Sequence, residues 1–424
     1  METIVETSKL STLADELAGN FSNAIPEHFK NSSLQAREAL NGLEFPNTRA
    51  EYWKYTRTAP ISRENWNFSK AAEIPEIPAH IKGLKIVFLN GHLDVDRSDM
   101  NSGSNFEITP FSKSETDVES RFSSYDEFKI NPFQALNKAM PQDGYVLKVS
   151  AKAEIEKPIT IVHLYTGENT ISQPRNLVVL EKGSSAKIIE YHIHSSKAGK
   201  TFTNTCTQVI VEANARLGID ILQYGSNNSF HLQNAEILLA RDARLVQNTF
   251  TQQGNWTRNN TNVRVQGENI TADLNGFYIP DGSEHIDNHT VVDHEKSNSD
   301  SNELYRGVLL DKAVGVFNGK VFVRQDAQKT NAFQSNGNVL ISDTATMNSK
   351  PELEIYADDV KCSHGSTTGQ LNDEAIYYLQ TRGLSKKVAR KMLISAFAED
   401  VLKHIVSEEI REEIEGKIDT KLAK

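Results

Sequence analysis

Cysteine is nearly missing from this chain: Cys206 and Cys362 are the only two in 424 residues. That excludes a disulfide framework and points to reduced thiols. Long apolar runs are missing as well, and none approaches the ~18 residues a membrane helix needs. The opening METIVETSKLSTLADEL carries Glu2 and Glu6 and no apolar stretch of the signal-peptide kind. A cytoplasmic protein is therefore expected, and N-x-S/T triplets such as Asn255 with Thr257 mean nothing. Basic excess is absent too: 46 Lys and Arg stand against 56 Asp and Glu, a net charge of −10. That balance argues against nucleic acid as the partner, since phosphate binding needs a basic surface. Finally, the AGKT at 198–201 lacks the glycine that a phosphate-cradling loop needs five residues before Gly199. His194 stands there, so nucleotide hydrolysis by this chain is not expected.

What is present falls into three regions. Up to about residue 80 the pattern is helical. Leu10, Leu13, Leu17 and Phe21 recur at helical spacing, with Ser11 and Thr12 as cap candidates. A second helix is expected after Ser33, with Ala36, Ala39, Leu40 and Leu43 on one face and Pro46 ending it. The aromatic-rich TRAEYWKYT and a connector with Pro75 and Pro78 follow.

From about 84 to 365 the chain reads as short strands such as LKIVFLN, RNLVVLE, AKIIEYHIH and TQVIVEA, separated by Gly, Asn, Asp and Ser. No amphipathic helix of ten or more residues is expected from about 145 to 360, which excludes a doubly wound α/β fold. A polar turn followed by alanine recurs: GSSAKI (Ala186), EANARL (Ala215), ARDARL (Ala243) and NITADL (Ala272), at spacings of 29, 28 and 29. It continues at Ala313 and Ala345, spaced 41 and 32. A fixed period in a β region implies stacked units. The fold class is mainly β: a parallel β-helix, or stacked β-solenoid, flanked by helical regions at both ends.

The third region, 370–424, is helical. Asn372 and Ser385 are expected N-caps and Gly383 a C-terminal stop. Val388, Met392, Leu393, Ala396, Leu402 and Ile405 form one apolar face; Ile410, Ile414, Ile418 and Leu422 form another. These faces pack on the end of the solenoid, fill a partner's groove, or do both.

Two constellations carry chemistry. In HIDNHTVVDH, His285, Asp287 and His289 share a strand face, which allows zinc or iron ligation. A polar ladder of cross-coil hydrogen bonds is the stronger reading. In DDVKCSHGSTTGQL, which starts at Asp358, Val360, Cys362 and His364 share a face if the segment is extended, and Gly365 and Gly369 break the strand. Thiolate and imidazole both suit zinc or iron–sulfur ligation. A closed site needs about four ligands, so either Cys206 is brought close or another chain supplies the rest. A buried Cys with a hydrogen-bonded His is the bland alternative. A Cys–His thiol catalyst has no oxyanion-hole signature to support it.

The segment from about 291 to 384, above all YADDVKCSHG…GQL…A..YL..RG, resembles the SufB/SufD family of iron–sulfur cluster assembly proteins. The region from about 150 to 290 is similar more loosely. The TRAEYWKYT segment, the length and the scarcity of cysteine are similar to the SufD branch. The resemblance implies an N-terminal helical region (1–80), a β-helix core (84–365) and a C-terminal helical domain (370–424). It implies a non-catalytic scaffold that pairs with SufB through the β-helix and binds the SufC ATPase through the C-terminal helices. It also implies that His364, with Cys362 beside it, holds a nascent iron–sulfur cluster shared with SufB. No tightly bound cofactor is then expected in the isolated chain, and whether that chain is a monomer or a homodimer through the SufB-pairing surface is left open. ATP-driven closure of two SufC subunits would strain the interface and open the site. One departure is Ser366, where a typical member has Ala. The resemblance gives no metal role to His289 or His294 and leaves cluster type and flavin binding open. The competing readings are a SufB-like role, a polysaccharide-acting β-helix enzyme, and a purely structural solenoid.

Overall fold

The computed structural model describes residues 10–18, 25–68, 74–79, 81, 84–99, 105–115, 130–405 and 407–423. Phe21 lies outside them. Two parallel sheets face each other across an apolar interior, and the chain alternates between them to form a stacked β-solenoid. The first sheet includes Lys85–Leu89, Ile159–Tyr165, Ser185–His194, Arg216–Tyr224, Arg244–Gln253, Thr271–Tyr278, Asp300–Leu309, Asn331–Leu340 and Lys361–Gly369. The second includes Tyr145–Val149, Arg175–Leu180, Thr201–Val211, Ser229–Leu239, Trp256–Val265, His285–His294, Val314–Val323 and Thr346–Ile355. Side-chain hydrogen bonds between neighbouring coils join residues 26 to 31 apart, which brackets the period seen in the sequence.

The cause of that period is backbone conformation at one corner. Gly183, Asn214, Asp242, Asn269, Asn298 and Lys329 all have positive φ. Only Gly, and to a lesser degree Asn and Asp, enter that region at low cost, which explains the recurring Asn/Asp turn. The alanines do not form the single column the spacing implies. Ala215 and Ala243 stack at this corner, where the Arg244 N–H donates to the Ala215 carbonyl. Ala186 and Ala272 lie two places further along, in register with Leu217 and Leu245. Ala313 and Ala345 belong to the opposite sheet, where the Thr346 N–H donates to Ala313. The irregular spacing of 41 records that change of sheet, and the 32 is the coil length within the second sheet, where Val314 pairs with Thr346.

Helices cover the outer faces. Leu10–Ala18 buries Leu10, Leu13 and Leu17 as expected, with Ser11 and Thr12 inside the helix rather than capping it. The next helix spans Lys30–Leu40 and begins ahead of Ser33. Ser33 is buried and donates to the Ala139 carbonyl at 2.9 Å. Ala139 ends a helix, Pro132–Ala139, within the region read as strands; its proline at the first turn and apolar Phe133 and Leu136 account for it. These helices and Trp53 pack on Phe202, Phe230 and Trp256 of the second sheet.

At the other end, Asn372 and Ser385 cap Asp373–Thr381 and Lys386–Leu402 by accepting from the Ala375 and Val388 N–H groups, and Gly383 has φ +90°. The C-terminal helices do not sit on the solenoid's end. Ile394, Ala398, Val401, Leu402 and Ile405, with Ile410, Ile414 and Ile418 of Glu408–Ala423, lie along the outer face of the first sheet against Ile189, Leu222, Phe250 and Phe277. Tyr191 donates to Glu413 at 3.0 Å, and Lys421 reaches Glu284 at 2.9 Å. Val388 and Met392 stay exposed, at 42% and 48%. No helix among the described residues is long and apolar enough to cross a membrane.

Candidate functional site

Cys362 and His364 lie on Lys361–Gly369, the last strand of the first sheet. Gly365 does not break this strand. It stays extended, with open space where a Cβ would stand, and pairing continues to Gly369 opposite Val339. Cys362 pairs with Ala332 and His364 with Gln334, so strand alternation turns both toward the solenoid interior. Val360 and Cys362 pack, half-buried, against the apolar core, while His364 is exposed. No further coil covers them. The strand opposite, Thr346–Ile355, is also an edge, and Ser349 and Ser366 join across at 2.7 Å.

Burial pushes the Cys362 thiol up from its ordinary value. It is therefore protonated at neutral pH, the opposite of what a thiolate nucleophile needs. Metal binding can still displace that proton. Cys206 does not join it. It is buried on Thr201–Val211, in register with Asn234. Several strand spacings of ~4.8 Å separate that coil from the last, about 20 Å or more. Among the described residues, no group of three or more possible ligands includes Cys362 and His364.

The interior behind His364 is polar, which the sequence reading missed. Gln334 donates to Glu303 at 2.9 Å, and Thr290 donates to the other Glu303 oxygen. Glu303 is fully buried, and burial pushes its carboxyl up to about 7. Gln334 Oε1 has no partner. The signal was the alternation of Ser301, Glu303 and Tyr305 on one strand face.

The other constellation is a ladder. Arg258 holds Asp287 at 2.9 Å, His289 holds it at 3.0 Å, and Thr56 bonds both His285 and Asp287. The Arg258 guanidinium lies 3.9 Å from the Trp53 ring centroid. Asp287 already has its counter-charge, so this group fastens the N-terminal segment to the second sheet. His294 shares a 2.9 Å hydrogen bond with Ser301.

Comparison with known proteins agrees with this architecture. Residues 163–397 match the family described as SUF system FeS cluster assembly, SufBD core domain. The iron–sulfur cluster assembly protein SufD of Escherichia coli is 31% identical over 92% of this chain and 93% of its own length. SufD of Bacillus subtilis is 23% identical over 94% of each chain. An iron–sulfur cluster assembly SufBD family protein of Synechocystis is 29% identical over 88% of this chain and 87% of its own. The chain belongs to the SufB/SufD family of iron–sulfur cluster assembly proteins and is SufD-like within it.

Proposed function

We propose that this chain is a non-catalytic scaffold in which Cys362 and His364 form half of a site for a nascent iron–sulfur cluster, completed by SufB. The observation that carries this reading is their position. A soft donor pair faces inward on the last strand of an uncovered stack, and the described residues add no further ligand. The ladder of unpaired N–H and C=O groups along Lys361–Gly369 and Thr346–Ile355 is suited to pairing with the edge of a similar solenoid. His364 acts as an iron ligand. Cys362 acts as a second ligand, losing its proton as iron binds, or takes a sulfane sulfur atom from a donor persulfide, the donor leaving as a thiol with that proton.

The C-terminal helices serve as the SufC surface. Tyr377, Tyr378, Val388 and Met392 are large apolar side chains left exposed there, beyond the stripe already used against the first sheet. ATP-driven movement of SufC would then be transmitted through that stripe to the sheet carrying His364.

Co-expression of the tagged chain with SufB and SufC of the same genome, followed by pull-down and iron and sulfide assays, tests this. A three-protein complex is expected that keeps its composition but loses iron and sulfide in His364→Ala. Capture of neither partner would return Cys362 and His364 to a merely structural pair. A homodimer of the isolated chain, dispersed by SufB, is the matching expectation.

A further inference from the structure

Four of the chain's 12 histidines meet far from Cys362, inside the early coils. His163 and His192 are fully buried and stack with ring centroids 4.9 Å apart and planes 7° apart. Both Nε2 atoms turn to one oxygen of buried Glu190, at 3.1 and 3.3 Å. His231 stands beside them, its ring 4.7 Å from His192, and His194 lies 5.8 Å from His231. His163 Nδ1 and the Nε2 atoms of His194 and His231 have no hydrogen-bond partner, and His192 Nε2 has only its contact with Glu190.

Charge is the difficulty here. Among the described residues Glu190 pairs only with two imidazoles. Burial pushes its carboxyl up, but bonds from His163 and His192 outweigh that and hold it well below the usual range. Burial pushes His163 down, toward its neutral form. An ionised carboxylate between such rings is a buried charge without a full counter-charge, which is unfavourable unless a cation joins it.

We propose that His163, Glu190 and His192 bind a divalent transition-metal ion. Two imidazoles and a carboxylate are an established donor set for Zn²⁺ and Fe²⁺. Ligands at ~2.0–2.2 Å in a tetrahedron stand roughly 3.3 Å apart, close to the 3.1 and 3.3 Å that already separate the Glu190 oxygen from the two Nε2 atoms; because an imidazole ligates in its ring plane, the two parallel rings tilt toward the ion as it binds. The second shell fits as well: His192 Nδ1 lies 3.0 Å from the Tyr165 hydroxyl, so an N–H there can donate to it and leave Nε2 free to ligate. The site is sealed by Phe88, which stacks on His163 at 5.1 Å, so the ion enters as the chain folds. The site is independent of the reading of Cys362 and His364.

The test uses the full chain, carrying a tag without histidine, purified from cells grown with added Zn²⁺ or, anaerobically, with added Fe²⁺. Metal content is measured by mass spectrometry after dialysis against EDTA. About one ion per chain is expected in at least one arm, and the arm identifies the metal. His364→Ala keeps the ion. Glu190→Gln, which preserves the side chain's size, loses it at least tenfold while circular dichroism and elution volume stay unchanged; His192→Gln repeats the test if that variant fails to fold. Fewer than about one ion per ten chains in both arms overturns the site, as does an ion held equally by folded Glu190→Gln or His192→Gln.

Discussion

At its first coils the solenoid is closed by strands that run the wrong way for further stacking, whereas at its last coils both edges stay parallel, in register and poorly covered. His92–Leu93 pairs antiparallel with Lys85–Leu89, and Phe106–Pro110 pairs antiparallel with Tyr145–Val149. At the other end, every residue of Thr346–Ile355 and Lys361–Gly369 is at least partly exposed. An uncovered edge is a liability that proteins usually blunt. The difference teaches that the stack ends where it starts and is left open where the Cys–His pair lies.

Matched truncations break this comparison most sharply. Leu147→Ala, in the fully buried closed end, is expected to cost about 3–5 kcal/mol in denaturant unfolding, as cavity-forming core changes do. Leu353→Ala, on the partly exposed last strand, is expected to cost about 1 kcal/mol in the isolated chain and to weaken SufB capture. Equal costs would mean the open end is already covered, for instance by self-association.

A pH profile sharpens it next. The folded-state carboxyl of Glu303 is raised to about 7 from 4.5. Its stabilising, protonated form is fully present below about pH 4.5, and stability falls as pH rises through about 7. Glu303→Gln should therefore flatten that decline and be more stable at pH 8, by up to about 3 kcal/mol. An unchanged profile would mean that water reaches Glu303 from the open end.

Smaller still is the corner. Lys329 has φ +59° where the coils from Gly183 to Asn298 use Gly, Asn or Asp and only the earlier Lys152, at φ +62°, is also a lysine. Lys329→Asn is expected to stabilise by about 0.5–1 kcal/mol, read as a raised Tm. Smallest is His364→Ala, which should change stability by less than about 0.5 kcal/mol because the side chain is exposed. A larger loss would assign His364 a structural role.

Much of this was legible in the sequence. The coil length shows because the left-handed corner restricts residue choice. Cys362 and His364 share a face because strand alternation is strict, and the caps at Asn372 and Ser385 are local chemistry. The histidine cluster was not legible, for a physical reason. In Ser185–His194, Glu190, His192 and His194 alternate with Tyr191 and Ile193, and the usual rule would place the apolar set inside. Here the C-terminal helices cover the outer face, so Tyr191 packs outward against them and the polar set turns inward. Alternation finds a strand but cannot say which of two buried faces is the interior. Gly365 misled in the opposite way, since an extended glycine is silent in a strand.

The C-terminal helices have a mechanical consequence. A solenoid whose coils touch only their neighbours unravels from its ends, one coil at a time. Glu413 bonds Tyr191 from 222 residues away, Lys421 bonds Glu284 from 137 and Asp400 bonds Arg306 from 94. The helices thus act as a tie-bar bolted at several points along the stack. Coils between Tyr191 and Arg306 should melt together or not at all, and a load applied to the bar is shared among them rather than absorbed by the nearest one.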